Sequence, residues 1–158
     1  MRLFRSSGLI GIAEETLEFA LEAARETHPN EYMGFLRAED ARRLGLDRDG
    51  DVITDVLVVP GTESNPVSAT VDSNMMPNRR DAVGSIHSHP NGVLRPSTED
   101  LNTFQSGKVH VIMGAPYGRR DWRAFDREGE PTTLDVIDVE LPDPEEFFHF
   151  SQEDLDRE

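Results

Sequence analysis

The sequence predicts a single mixed α/β domain, with a mostly antiparallel β-sheet flanked by helices. Three observations carry that expectation. The chain has 158 residues, the size of one ordinary domain. Its apolar runs are mostly short and rich in β-branched residues, which marks strands. Helical spacing occurs in one long stretch and one short one, so helices cover the sheet rather than form the core alone.

Taken in order, Ile12 to Thr27 reads as a helix. Ile12, Leu17, Ala20, Leu21 and Ala24 recur at helical spacing, and glutamates fill the other face. Glu14 and Glu15 suit the dipole at its start, and Pro29 stops it. Tyr32 to Arg37 reads as a buried strand. Leu44 to Asp47 reads as a short strand, and Asp49-Gly50 as a turn. Val52 to Val59 is a strong strand closed by Pro60-Gly61, and Val67 to Val71 reads as another. Asp72 to Asp81 is polar and reads as a loop. Ala82 to His89 is the next strand, ended by Pro90-Asn91-Gly92. Ser97 to Phe104 is a short helix. Val109 to Met113, Trp122 to Phe125 and Leu134 to Val139 complete the strands. The domain spans residues 1–141. Residues 142–158 form an acidic tail with an aromatic knot at Phe147, Phe148 and Phe150.

Composition narrows the chemistry. There are no cysteines, so disulfides, Fe–S clusters, Cys-type zinc sites and thiol nucleophiles are excluded. Acids number 31 against 16 bases, a net charge of −15, which makes nucleic acid and anionic membranes poor partners. Lys108 is the single lysine among the bases. An acid-rich, lysine-poor surface fits a cytosol at very high salt, where screening removes most of the cost of self-repulsion. No apolar run is long enough to span a membrane. The weakly apolar Gly8–Ala13 stretch turns acidic too soon for a signal peptide, so a cytoplasmic location is expected.

The densest chemistry lies in Ile86-His87-Ser88-His89-Pro90 and Pro96-Ser97-Thr98-Glu99-Asp100. His87 and His89 are two apart on a strand, so both imidazoles share a face and can meet one metal. Asp100 follows after a loop long enough to fold back as a third ligand. Two histidines and a carboxylate leave one tetrahedral position open for water, as catalytic zinc requires. A bare His-x-His is common, however, and Ser97 with Asp100 also reads as a plain helix N-terminus. There Ser97 is the N-cap and Asp100 the third helical residue. Both readings hold together if the helix start faces the strand.

That string resembles the JAMM (MPN+) metalloprotease motif, H-x-H followed after seven intervening residues by S-x-x-D. Glu31-Tyr32-Met33-Gly34-Phe35-Leu36 fits the upstream E-x-x-G-x-L pattern of the same family. The resemblance covers about residues 8–140 and implies the MPN fold, which is cytidine-deaminase-like. With the acidic composition, the chain is similar to haloarchaeal desampylases. Those remove ubiquitin-like small archaeal modifier proteins from target lysines. The resemblance implies one Zn²⁺ per chain, held by His87, His89 and Asp100. It implies Glu31 as general base, moving a proton from a zinc-activated water to the leaving amine. It implies Ser97 as a hydrogen-bond donor to the oxyanion. Relatives of this shape also process sulfur-carrier or modifier–amino acid adducts, and some that have lost the motif act as scaffolds. All five motif positions are present here.

Other groups have plainer readings. His110 lies in an apolar run and reads as a core histidine. His28 stands at a helix C-terminus, where an imidazolium suits the dipole, and His149 lies in the tail. Glu99 reads as solvated. Glu39, Asp40 and Asp47–Asp51 read as a solvated hairpin rather than a calcium site, and Trp122 as core. The Asp72–Asp81 loop, with Met75 and Met76, and the Asn91–Arg95 segment are expected to hold the modifier's tail. An exposed edge strand is a further expected seat for it.

Overall fold

The structure is a computed structural model, and it describes residues 8–58, 82–104 and 107–141. The expected Val67–Val71 strand, the Asp72–Asp81 loop and the acidic tail lie outside these residues. In chain order the elements are β1 (Leu9–Ala13), α1 (Glu14–Thr27), β2 (Met33–Asp40), a 3₁₀ turn (Ala41–Leu44) and β3 (Asp51–Val58). There follow β4 (Ala82–His89), α2 (Thr98–Thr103), β5 (Val109–Gly114), β6 (Trp122–Phe125), β7 (Pro131–Thr132) and β8 (Asp135–Ile137).

The eight strands among the described residues form one sheet, ordered β7-β6-β5-β4-β2-β3-β1-β8. The sheet is mixed. Pairings β2–β3, β2–β4, β5–β6 and β6–β7 are antiparallel, while β1–β3, β1–β8 and β4–β5 are parallel. Strands β4 and β2 occupy the centre. Gly84 lets β4 and β5 approach so closely that an added Cβ would collide with the Val109 carbonyl.

The two helices cover opposite faces, and side-chain alternation assigns each strand residue to one of them. Leu17, Ala20, Leu21 and Ala24 of α1 pack with Tyr32, Leu36, Ile53, Ile86, Val111 and Met113. The hydroxyl of Thr16 donates to the Thr54 carbonyl at 3.0 Å and ties α1 to β3. On the other face Phe104, at the end of α2, packs with Ile112, Phe125 and Leu94. The odd residues of β4, Ser85, His87 and His89, therefore look toward α2. Ile86 and Ser88 look toward α1.

The structure corrects several expectations. Helix α1 begins at Glu14, because Leu9–Ala13 is a strand: Ile12 pairs with Ile53 on one side and Val136 on the other. Leu44 to Asp47 is not a strand. The Asp40 side chain caps a 3₁₀ turn by accepting the Arg42 N–H, and Gly45 ends it at φ +86°, a conformation glycine adopts without steric cost. Leu44 and Leu46 instead pack against the small cluster of Ala13, Ala41 and Val52. The last strand is shorter than expected, at Asp135–Ile137, and the two-residue β7 was not foreseen. Arg42 pairs with Asp49 at 2.9 Å and with Asp47 at 3.4 Å, so these hairpin acids are partnered by the chain itself. Among the described residues no helix is long and apolar enough to cross a membrane.

Candidate metal centre

His87 and His89 occupy the end of β4, and Asp100 projects from the first turn of α2. Their ligand atoms all lie within 4.8 Å of one another. His87 Nε2 is 3.0 Å from Asp100 Oδ1, and His89 Nε2 is 3.1 Å from Asp100 Oδ2. The two Nε2 atoms are 3.2 Å apart. Four ligands at zinc–nitrogen distances of about 2.0–2.1 Å stand at tetrahedron edges of about 3.3 Å. The two Nε2 atoms stand close to such an edge, and each histidine reaches a different oxygen of Asp100, so the three side chains converge closely enough to hold one ion. His87 is buried and the other two are partly so.

Neighbouring groups aim these donors. His89 Nδ1 lies 2.7 Å from the Val93 carbonyl, an acceptor only. That fixes a proton on Nδ1, so loss of the Nε2 proton that faces Asp100 would leave that lone pair aimed into the cluster, the usual arrangement around a metal histidine. Asp100 is positioned by a capping box. Its N–H donates to Ser97 Oγ at 3.0 Å, and its Oδ2 accepts the Ser97 N–H at 2.7 Å. Both expectations for this segment are therefore met at once: the helix start is capped, and its carboxylate faces the histidines.

The electrostatics follow from that crowding. Burial works against the charged form of Asp100. The hydrogen bonds from His87 and His89, with the Ser97 N–H, outweigh it and hold the carboxyl well below the usual range. Burial likewise lowers His89, but Asp100, the Val93 carbonyl and Glu31 together leave its pKa raised. Glu31 is raised chiefly by burial, against the downward pull of His87 and His89, with Asp100 and Glu99 adding repulsion. Glu31 thus shares the electric field of the cluster, although nearly seventy residues separate it from Asp100 in sequence. Glu99 is exposed, as expected.

Among the described residues, the other two histidines are structural. His110 is fully buried, stacked on Phe104, with Nδ1 2.7 Å from Ser85 Oγ and Nε2 3.1 Å from the Phe104 carbonyl. His28 closes α1, its N–H bonding the Ala24 carbonyl and its Nδ1 lying 2.8 Å from the Tyr117 hydroxyl. Tyr117 was not singled out in the sequence. It is 2% exposed and sits at φ +65°, a left-handed conformation that the residue type does not signal.

A mixed sheet with a helix on each face and a two-histidine, one-carboxylate cluster at its centre is the architecture of a JAB/MPN zinc-site protein. The chain belongs to that family: the model for prokaryotic homologs of the JAB domain matches residues 13–127. A curated protein from the haloarchaeon Haloferax volcanii, named "Probable metalloprotease", is 65% identical over 158 residues, covering 100% of this chain and 98% of the relative. Among solved structures, a JAB1/MPN domain protein from Archaeoglobus fulgidus is 31% identical with a TM-score of 0.60, covering 82% of this chain and 100% of that one. A second, described as a JAMM metalloprotease-like zinc site in the proteasome and signalosome, is 29% identical with a TM-score of 0.60, covering 82% and 99%.

Proposed function

We propose that this protein is a zinc-dependent isopeptidase. Its substrate is the amide between the C-terminal glycine of a ubiquitin-like small archaeal modifier and a target lysine. The observation that carries the reading is the convergence of His87, His89 and Asp100, whose ligand atoms lie within 4.8 Å of one another, with Glu31 inside the same field. The Haloferax relative and the JAMM zinc-site structure support it.

His87, His89 and Asp100 would hold the zinc. When bound, it supplies Lewis acidity, polarising the scissile carbonyl and acidifying water near neutral pH. Glu31 removes a proton from the attacking water as its oxygen bonds the carbonyl carbon. Its raised pKa makes it a better base than an ordinary glutamate. The same carboxyl then hands that proton to the lysine nitrogen as the C–N bond breaks. Products are the glycine carboxylate and a free amine. Ser97 keeps its hydroxyl proton available, because its oxygen is used as an acceptor in the cap. That hydroxyl donates a hydrogen bond to the oxyanion of the tetrahedral carbon and keeps its proton.

The test loads the purified protein with zinc and incubates it with a modifier–lysine conjugate at molar salt. Free modifier is expected, and chelation should abolish its release. Glu31→Gln should keep its zinc and lose about two or more orders of magnitude in turnover. No release by the zinc-loaded protein, or near-normal turnover in Glu31→Gln, would refute the reading.

A further inference from the structure

Ser88 lies between the two histidines in sequence but faces the opposite side of the sheet, and it is 0% exposed. Its bonding is specific. Ser88 N–H donates to the Tyr32 carbonyl at 2.9 Å, and Tyr32 N–H donates to Ser88 Oγ at 2.8 Å. Tyr32 adjoins Glu31. At this end the β2–β4 ladder stops at the Met33–His87 pair, so Glu31 stands two residues beyond the last pairing. The pair of hydrogen bonds between Ser88 and Tyr32 carries the chain past the ladder and fixes where Glu31 begins.

The Ser88 hydroxyl has a further partner. It lies near the hydroxyl of Tyr117, which it pulls toward the charged form, and the Tyr117 hydroxyl meets His28 Nδ1 at 2.8 Å. Ser88 Oγ accepts the Tyr32 N–H, which leaves the Ser88 O–H to turn toward Tyr117, and the Tyr117 O–H can donate to His28 Nδ1. Tyr117 is itself clamped. Its carbonyl accepts Arg25 Nη2 at 2.8 Å, and its N–H donates to the Gly114 carbonyl at 2.8 Å. An aromatic residue at φ +65° persists only where its surroundings over-determine it, and such strain gathers at functional sites. Here the surroundings are α1, the loop after β5, and Ser88.

We infer that Ser88, backed by Tyr117, is a positioning residue for Glu31: it sets the base relative to the histidines from the far side of the sheet. The inference rests on the reading of Glu31 as the base. Neither Ser88 nor Tyr117 is a zinc ligand in this arrangement, since both side chains lie on the α1 face. The role is therefore separable from metal binding.

The test uses the full-length, zinc-loaded protein. Ser88→Ala should retain one zinc per chain and a KM within about twofold. Its kcat should fall about 10- to 100-fold, the effect of a small misplacement at the reacting centre. A role exercised through Glu31 disappears when Glu31 is disabled. In the Glu31→Gln background, Ser88→Ala should change residual kcat less than about twofold. An equal loss in both backgrounds would mean a general structural role and overturn the inference, as would unchanged kcat in Ser88→Ala alone. Independently of activity, amide exchange read by NMR should show Tyr32 N–H losing protection in Ser88→Ala. Retained protection would overturn the bond on which the inference stands. If Ser88→Ala fails to fold, Tyr117→Phe replaces it in the same cycle. It keeps the ring, and an expected kcat loss of about threefold or more replaces the larger one. Unchanged kcat there overturns the inference. If Glu31→Gln itself is as active as wild type, the base assignment fails instead, and the two failures are distinct.

Discussion

Ser97→Ala separates folding from chemistry at one atom. Ser97 Oγ accepts the Asp100 N–H at 3.0 Å, and the reciprocal bond, Ser97 N–H to Asp100 Oδ2 at 2.7 Å, uses only backbone on the serine side. Alanine deletes the first bond and keeps the second. Ser97 is exposed, so no cavity forms. The stability loss is therefore that of one N-cap acceptor, about 1 kcal/mol. For a chain of 158 residues that lowers Tm by about 2–4 °C. The catalytic loss is separate and larger. Removing one donor to a developing oxyanion lowers kcat about 10²- to 10³-fold, or about 3–4 kcal/mol. The assay pairs a thermal melt with kcat on a modifier–lysine conjugate, and zinc content is measured on the same sample. A Tm drop of the expected size with unchanged kcat would refute the oxyanion role and leave Ser97 as a cap. Loss of zinc would show that the cap's chief service is to hold Asp100 in place.

Two further predictions address stability. His110 is buried and its pKa is pushed down to about 4, mainly by burial. The unfolded chain therefore binds a proton there that the folded protein refuses. Stability from this residue is complete above about pH 6.5 and is lost as pH falls towards about 4, by about 3 kcal/mol at most. Urea unfolding across that range should show the slope, and His110→Gln should flatten it; an equal slope in both proteins counts against the buried histidine. The net charge of −15 predicts that the protein loses folded structure as salt falls from molar to tenth-molar, where the Debye length grows from about 3 to about 10 Å. The metal-free form should fail at the higher salt, because zinc bound only by the folded state stabilises it. Melting temperatures that stay flat across a salt series in both forms would defeat the prediction.

Much of the site was legible because its residue types are rare in combination. His87, His89, Ser97 and Asp100 lie within one strand–loop–helix unit, where alternation and helix capping are local rules. Glu31 is far away in sequence, and only its family pattern pointed to it. The misses share a different cause. The strand β1 is held by parallel neighbours remote in sequence, β3 and β8, so nothing within Leu9–Ala13 declares it. Its burial makes Ile12 equally good as the start of a helical stripe. Leu44 and Leu46 alternate like a strand, but Asp40 and Gly45 bracket a 3₁₀ turn, and turn chemistry wins. Tyr117 left no trace at all, because a left-handed aromatic is imposed by tertiary contacts.

The capping box joins helix α2 to the candidate metal cluster. In an ordinary box the acidic residue serves only the N-cap N–H. Here Asp100 Oδ2 accepts the Ser97 N–H at 2.7 Å while standing 3.1 Å from His89 Nε2, and Oδ1 stands 3.0 Å from His87 Nε2. One carboxylate thus orders the start of α2 and completes the donor set. The two duties reinforce each other. The backbone bond from Ser97 removes the freedom of the Asp100 side chain before any ion arrives, so little of the binding energy is spent on ordering it. A bound ion would take the place of the histidine contacts as partner of the carboxylate, while the capping bond comes from the Ser97 backbone and does not depend on it. This is why α2, only six residues long, can serve as a ligand-bearing element: its first turn is fixed by the cap, and its last by the Phe104 carbonyl meeting His110.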